Sequence, residues 1–204
     1  MTKKKIVHLI KTLEVGGCEI ALLRMLPLTN NTFEHTIVTL RQEGVLSERF
    51  VKEGVCIIAL GQHNLFDIAS YLRLKVILNQ INPDLIVTHL LHADVIGRIY
   101  VQFIVTCRVI ASIVTTYNFK KYWAARLFER LTKGLATQYM ANSNSVKEAY
   151  VKKFGVREHK ITVVPRGIDI GFFSNTENIQ QLQHVFAILP TDRVIICVAN
   201  LHPN

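Results

Sequence analysis

Short runs rich in Ile and Val recur along the chain, separated by longer stretches with helical spacing of their apolar residues. The runs are Lys5 to Ile10, His35 to Leu40, Val55 to Leu60, Leu85 to Thr88, Val109 to Thr115, Thr137 to Ala141 and Ile161 to Val164. Most are continuously apolar rather than alternating, as strands covered on both faces are. Between them, Glu19 to Met25, Asp67 to Ile81, Ala93 to Phe103, Lys121 to Thr132 and Ser145 to Phe154 carry helical periodicity. Asn82-Pro83-Asp84 ends one helix and opens the next strand, because the residue before proline is pushed out of the helical region. The β-α-β-α order predicts an α/β fold with a doubly wound parallel sheet.

After Pro165-Arg166-Gly167-Ile168-Asp169 the pattern changes. A polar stretch from Ser174 to Gln183 precedes one more expected strand, Arg193 to Val198. With only a few residues after it, that strand reads as the opening of a second domain.

The chain has 204 residues, half of them apolar, enough to bury a substantial core as one domain with a short piece of another. The net charge of +9 points to an anionic partner: a nucleic acid, an acidic membrane surface, or a nucleotide or phospholipid substrate. No nucleic-acid motif accompanies the charge, so nucleic acid is not the expected partner. Cys18, Cys56, Cys107 and Cys197 lie far apart, and no histidine spacing suits a zinc site. Free thiols in a reducing cytoplasm, no metal and no cofactor are expected. No signal peptide is expected at Met1-Thr2-Lys3-Lys4-Lys5, and the longest apolar segment, Val101 to Val114, falls short of a span of ~20 residues.

Candidate chemistry begins after the first strand. Gly16-Gly17-Cys18-Glu19 reads as a glycine loop entering a helix, where accessible N–H groups and the positive helix end suit a phosphate, a carboxylate or a sugar hydroxyl. An ordinary strand-to-helix turn is the plainer alternative. Glu19 falls in the first helical turn, where capping and contact with a sugar hydroxyl are both open. His89, His92 and Asp94 follow the fourth strand, so they are placed at its C-terminal rim. His89 there suits a hydroxyl contact, a proton shuttle or a capping role. Ser143 suits an N-cap, with an acceptor contact as the second reading. Lys121 to Thr132 is basic on one side and apolar with aromatics on the other, which fits a solvated surface helix or docking on anionic lipid.

These motifs, in this order, resemble the glycosyltransferases of family 4, retaining enzymes of the GT-B fold with two Rossmann-like domains. Gly16-Gly17-Cys18-Glu19 resembles the family's Gly-Gly-x-Glu, and Asn82-Pro83-Asp84-Leu85-Ile86-Val87-Thr88-His89 is similar to its Pro-Asp-x-hydrophobic-x-x-His. Asn142-Ser143 is like the serine after a later strand. Val163-Val164-Pro165-Arg166-Gly167-Ile168-Asp169 with Phe172 or Phe173 resembles the family's interdomain segment, with Arg166 in place of the usual asparagine.

The resemblance implies an N-terminal, acceptor-binding Rossmann-like domain over 1–173, a linker over 174–192, and the first strand of a donor domain over 193–204. It implies transfer of a sugar from a nucleotide-sugar donor to a hydroxyl acceptor, with lipid-linked and cell-surface polysaccharide precursors both admissible. His89 and Tyr117 are the implied catalytic pair, Tyr117 standing where many members carry histidine. Gly16, Gly17, Glu19, His92, Asn118, Ser143, Arg166 and Gly167 are the implied binding residues. Arg166 suits a phosphate contact or a plain loop position. Most donor contacts belong to a C-terminal domain, so residues 1–204 are expected not to turn over by themselves. The implied location is cytoplasmic, with the inner membrane face as a peripheral site. The competing class is a non-catalytic anion-binding or peripheral membrane module. A dehydrogenase is disfavoured, since Gly16-Gly17-Cys18-Glu19 is not Gly-x-Gly-x-x-Gly.

Overall fold

The computed structural model describes residues 2–64, 67–104, 107–114, 123–168, 170–173, 179–189 and 191–197. The chain divides into two compact units, 1–166 and 167–204.

The first unit holds seven strands: β1 (Lys4–Ile10), β2 (Phe33–Thr39), β3 (Cys56–Ala59), β4 (Leu85–His89), β5 (Arg108–Ile113), β6 (Gln138–Ala141) and β7 (Ile161–Val163). They form one sheet in the order β3-β2-β1-β4-β5-β6-β7, and every pair is parallel. Each apolar run in the sequence thus became a strand. The connecting helices are α1 (Gly17–Thr29), α2 (Ser47–Lys52), α3 (Ile68–Ile81), α4 (Leu90–Ile104), α5 (Trp123–Thr132) and α6 (Asn144–Phe154). Only α2 was not predicted: six residues are too few to show a period, and it is anchored by the fully buried Phe50.

Two apolar layers sandwich the first half of the sheet. On one face Leu22, Leu23 and Leu26 of α1 and Phe50 of α2 pack with Ile10 and Ile37. On the other, Leu74 and Leu78 of α3 and Ala93 and Ile96 of α4 pack with Val7, Leu9 and Ile86. Further along, Val146, Tyr150 and Phe154 of α6 cover Ala111, Ile113 and Ala141. Gly97 lets α4 lie close to β4, since a Cβ there would overlap the Thr88 methyl group. Asn82 ends α3 in the left-handed conformation at φ 50°, and Pro83 follows. Asp84 then ties the start of β4 to β1, its carboxylate accepting from the Lys5 N–H at 2.8 Å.

Helix α5 inverts the expected arrangement of its faces. Leu127, Phe128 and Leu131 point to solvent, whereas Glu129 and Thr132 are buried. A buried arginine on α4 draws the polar side inward, as described below.

In the second unit, α7 (Ile170–Phe173) and α8 (Ile179–Val185) are helical. The strand expected from Arg193 does not form over 193–197, and Ile195 and Ile196 are exposed. A single extended segment has no ladder to join unless a neighbouring strand is supplied.

Candidate functional site

The chain leaves β1 to build β2 and β3 on one side, then returns to place β4 against the other side of β1. Open α/β sheets bind ligands beyond the carboxyl ends of strands at such a reversal. Two connections meet there: the loop from Ile10 into α1, and the direct junction of β4 with α4. At that junction His89 ends the strand and Leu90 begins the helix, with Leu90 held at φ 67°. A branched-chain residue in this region carries strain of about 1–3 kcal/mol, which the flanking strand and helix hold in place.

Gly16 is the N-cap of α1 in extended backbone, and its carbonyl accepts the first helical bond from the Ile20 N–H at 3.0 Å. Gly16 itself has no side chain to cap the helix. The Glu19 carboxylate folds back over Gly16, so that a Cβ at residue 16 would overlap Glu19 Oε2. Glu19 is three residues past the N-cap, the place from which a carboxylate can face unpaired helix N–H groups. A side chain at 16 would therefore have to push the Glu19 carboxylate aside, while the backbone conformation there suits any residue. At Gly17 an added Cβ would meet only Arg166 Nη1, at 3.7 Å.

Arg166 follows β7, yet its Nη1 donates to the Gly17 carbonyl at 2.6 Å. The guanidinium is exposed and lies near both the Cys18 thiol and His89. An exposed cation thus stands beside the positive end of α1; both favour an anion, and the Glu19 carboxylate over Gly16 opposes one directly beside it. Burial pushes the Cys18 thiol up to about 11, against the opposing pull of Arg166.

Beneath this rim runs a line of histidines. The registers Ile6 to His35 and His8 to Val87 put His35, His8 and His89 on one face of the sheet, along a diagonal across β2, β1 and β4. His8 Nδ1 is 3.1 Å from His89 Nε2, and His8 Nε2 is 3.1 Å from His35 Nδ1. At one end His35 Nε2 lies 2.9 Å from Thr29 Oγ1, and at the other Cys18 Sγ lies 3.9 Å from His89 Nδ1. All three rings are buried. Burial lowers each below the ordinary imidazole value, His89 to about 3 with help from Arg166, and His8 also through repulsion by its neighbours. The rings are therefore neutral at physiological pH. His89 uses both nitrogens internally, so it is not the free proton shuttle that its rim position suggested.

Asp94 is buried in α4 rather than displayed at the rim. Burial raises its carboxyl to about 8, although Arg98 opposes the shift. Arg98 is itself fully buried and donates to Glu129 through two nitrogens, at 3.1 and 2.7 Å, to Thr132 Oγ1 at 3.4 Å, to the Tyr139 hydroxyl at 3.3 Å and to the Asp94 carbonyl at 3.1 Å. Two carboxyl groups thus share one guanidinium. Glu129 takes the bidentate contact while Asp94 Oδ2 stays 3.8 Å away.

Among the other expected residues, His92 is half-buried and its imidazole is lowered by burial and by Lys11 and Arg41. Ser143 is the N-cap of α6, accepting from the Val146 N–H at 3.3 Å. Gly167 belongs to the second unit and faces open space. Tyr117 and Asn118 lie outside the described residues. The structure thus brings Gly16, Gly17, Glu19, His89 and Arg166 together and leaves Ser143 in a capping role. The sequence reading missed Cys18, His8 and His35. The available signal was a polar ring inside each of two strongly apolar strands, which demands a buried partner. Among the described residues no group of His, Cys, Asp and Glu is arranged to hold a metal, and no helix is long and apolar enough to cross a membrane.

The sequence profile of Glycosyltransferase Family 4 matches residues 15–172, from the glycine loop through the segment after β7. The chain belongs to glycosyltransferase family 4. A search of curated protein sequences returns no match. Among solved structures, this family 4 domain is similar to Anabaena HepE in complex with UDP-glucose, with a TM-score of 0.73 and 17% identity over 90% of this chain and 50% of the other. It is also similar to a glycosyltransferase from Rickettsia africae, at 0.68 and 16% over 94% and 51%. The UDP-GlcNAc 2-epimerase of Neisseria meningitidis bound to UDP-GlcNAc follows at 0.59 and 15% over 91% and 54%. At these identities the likeness shows the fold, a Rossmann-like α/β domain shared by transferases and epimerases. The chain spans about half the length of each of these structures.

Proposed function

We propose that this chain supplies the acceptor side of a cleft in which a sugar passes from a nucleotide-sugar to a hydroxyl group with its anomeric configuration retained. The observation that carries the reading is the meeting of the α1 N-terminus with the exposed Arg166 at Gly17. Developing negative charge on a departing diphosphate, or a phosphate on the acceptor, is stabilised by such preorganised donors. The UDP-sugars in HepE and in the epimerase support a nucleotide-sugar as the donor class.

In this reading 1–173 form the acceptor domain, 174–192 the linker and 193–204 the start of the donor domain. The family profile, which ends at 172, supports the first boundary. Positioning of the two substrates accounts for most of the rate, without a carboxylate pair flanking the bond. Tyr117 and Asn118 contact the reacting sugar, on the resemblance alone. His92 borders the acceptor path. Gly167 gives the chain room to leave the domain.

The outward apolar face of α5 supports a membrane-associated acceptor. Leu127, Phe128 and Leu131 are exposed, with the exposed Arg130 on the same helix. Basic residues near an anionic surface add about 1 kcal/mol each. A sugar carried on a polyprenyl phosphate or diphosphate in the inner leaflet of the cytoplasmic membrane fits both the α5 face and the Gly17–Arg166 site, and its sugar supplies the accepting hydroxyl.

Purified residues 1–204 are expected to bind a polyprenyl phosphate in micelles yet show no sugar transfer from UDP-glucose. Adding the donor half of a related family 4 enzyme is expected to produce transfer. Turnover by residues 1–204 alone would overturn the division of labour, and absence of phosphate binding would overturn the acceptor assignment.

A further inference from the structure

The direction of every hydrogen bond in the buried histidine line follows from one end of it. The Thr29 hydroxyl has a single proton, and it lies 3.0 Å from the Leu26 carbonyl, one turn back in α1. A carbonyl only accepts, so Thr29 donates to it and its lone pair faces His35 Nε2 at 2.9 Å. His35 therefore carries its proton on Nε2 and leaves Nδ1 bare. A neutral imidazole has one donor and one acceptor, so the bare His35 Nδ1 accepts from His8 Nε2–H, and the bare His8 Nδ1 accepts from His89 Nε2–H. His89 Nδ1 is then bare as well, and it faces the Cys18 thiol.

We propose that Thr29, His35 and His8 are positioning residues that fix the tautomer and ring orientation of His89, through one polarised chain linking the two ends of α1. The chain starts at Thr29, the last residue of the helix, crosses three strands and ends at Cys18, the second. Its product is a bare Nδ1 that holds the Cys18 thiol, and with it the turn carrying Gly17, under the guanidinium of Arg166. The opposite polarity is disfavoured because the Thr29 hydroxyl cannot donate to both Leu26 and His35. The rim's relevance to sugar transfer rests on the reading above, but the proton positions do not.

Histidine side-chain 15N shifts of the purified chain at neutral pH test this directly. The expected spectrum shows His8, His35 and His89 each as a single Nε2–H tautomer, with a protonated-type shift on Nε2 and a bare-type shift on Nδ1. In Thr29→Val the anchor is removed, and all three rings are expected to lose that single-tautomer signature together. Thr29→Ser keeps the hydroxyl and is expected to restore it. A proton on His89 Nδ1 in the wild-type chain would overturn the proposal, whether or not Thr29→Val folds. So would an unchanged His89 spectrum in a folded Thr29→Val. Failure of sugar transfer after the donor half is added, with the tautomers as assigned, would count against the proposed function alone.

Discussion

The Arg98 guanidinium and the Glu129 carboxylate form a fully buried bidentate pair between α4 and α5, with nitrogen to oxygen distances of 2.7 and 3.1 Å. This pair explains why α5 turns its polar side inward. Removing the cation alone would leave a buried charge without a partner, which costs about 3–5 kcal/mol. Arg98→Met is therefore expected to lower urea-unfolding stability by about that amount. The double variant Arg98→Met with Glu129→Met is expected to recover most of it, since a well-packed apolar pair can replace a buried ion pair. Equal losses in single and double variants would show that the pairing does not set the cost.

The outer face of α5 makes the complementary prediction. Replacing Leu127, Phe128 and Leu131 together by Ser removes exposed apolar surface, so unfolding stability is expected to change by no more than about 0.5 kcal/mol per site. Co-sedimentation with vesicles containing anionic lipid is expected to drop sharply in the triple variant and, for the wild-type chain, to fall with added salt. Vesicle binding that survives the triple substitution would move the membrane contact elsewhere.

Stability should pass through a maximum near pH 6.5. Asp94 is raised to about 8 in the folded chain from an ordinary 3.8, so the folded state holds the extra proton between those values. Its contribution is full below 3.8 and is lost as the pH rises toward 8. The histidines act oppositely: their folded values lie below 6.5, His89 at about 3, so the unfolded chain takes up protons first as the pH falls below 6.5. Below pH 6.5 the lowered histidines, His8, His35, His89 and His92, act together against the one raised carboxyl, each at up to about 1.4 kcal/mol per pH unit while its ring stays neutral in the fold. Asp94→Asn is expected to flatten the limb between pH 6.5 and 8 and leave the acid limb in place. An unaltered alkaline limb would show that Asp94 is ionised in the fold.

The strands were legible because continuous Ile and Val runs between polar connections admit few other readings. Asn82-Pro83 marked a boundary in the same direct way. The site was legible only at its chain-local parts: Gly16, Gly17 and Glu19 are adjacent, and His89 ends a recognisable strand. Arg166 reaches Gly17 across 149 positions of sequence, and the His35–His8–His89 line depends on strand register, so no local pattern announces either. The outward face of α5 was hidden for a related reason. Amphipathic spacing shows that a helix has two faces, but the buried Arg98 decides which one turns inward.

The two glycines should respond differently to alanine. At Gly16 the new methyl group would displace the Glu19 carboxylate, so Gly16→Ala is expected to destabilise by about 1 kcal/mol, comparable to the loss of a helix cap. At Gly17 only Arg166 Nη1 is near, at ordinary contact distance, so Gly17→Ala is expected to keep wild-type stability in thermal unfolding. Equal losses at both positions would contradict the crowding at Gly16.

The most direct measurement for the proposed anion site at the rim is an amide NMR titration of the purified chain with pyrophosphate. The expected result is saturable shifts confined to the Gly16, Gly17 and Cys18 region, with affinity falling about tenfold in Arg166→Ala, equivalent to about 1.4 kcal/mol and in keeping with one charge-assisted contact. Amides at Gly16 and Gly17 that do not move, or an Arg166→Ala chain that binds as tightly as wild type, would contradict the assignment of this rim to a phosphate-bearing substrate.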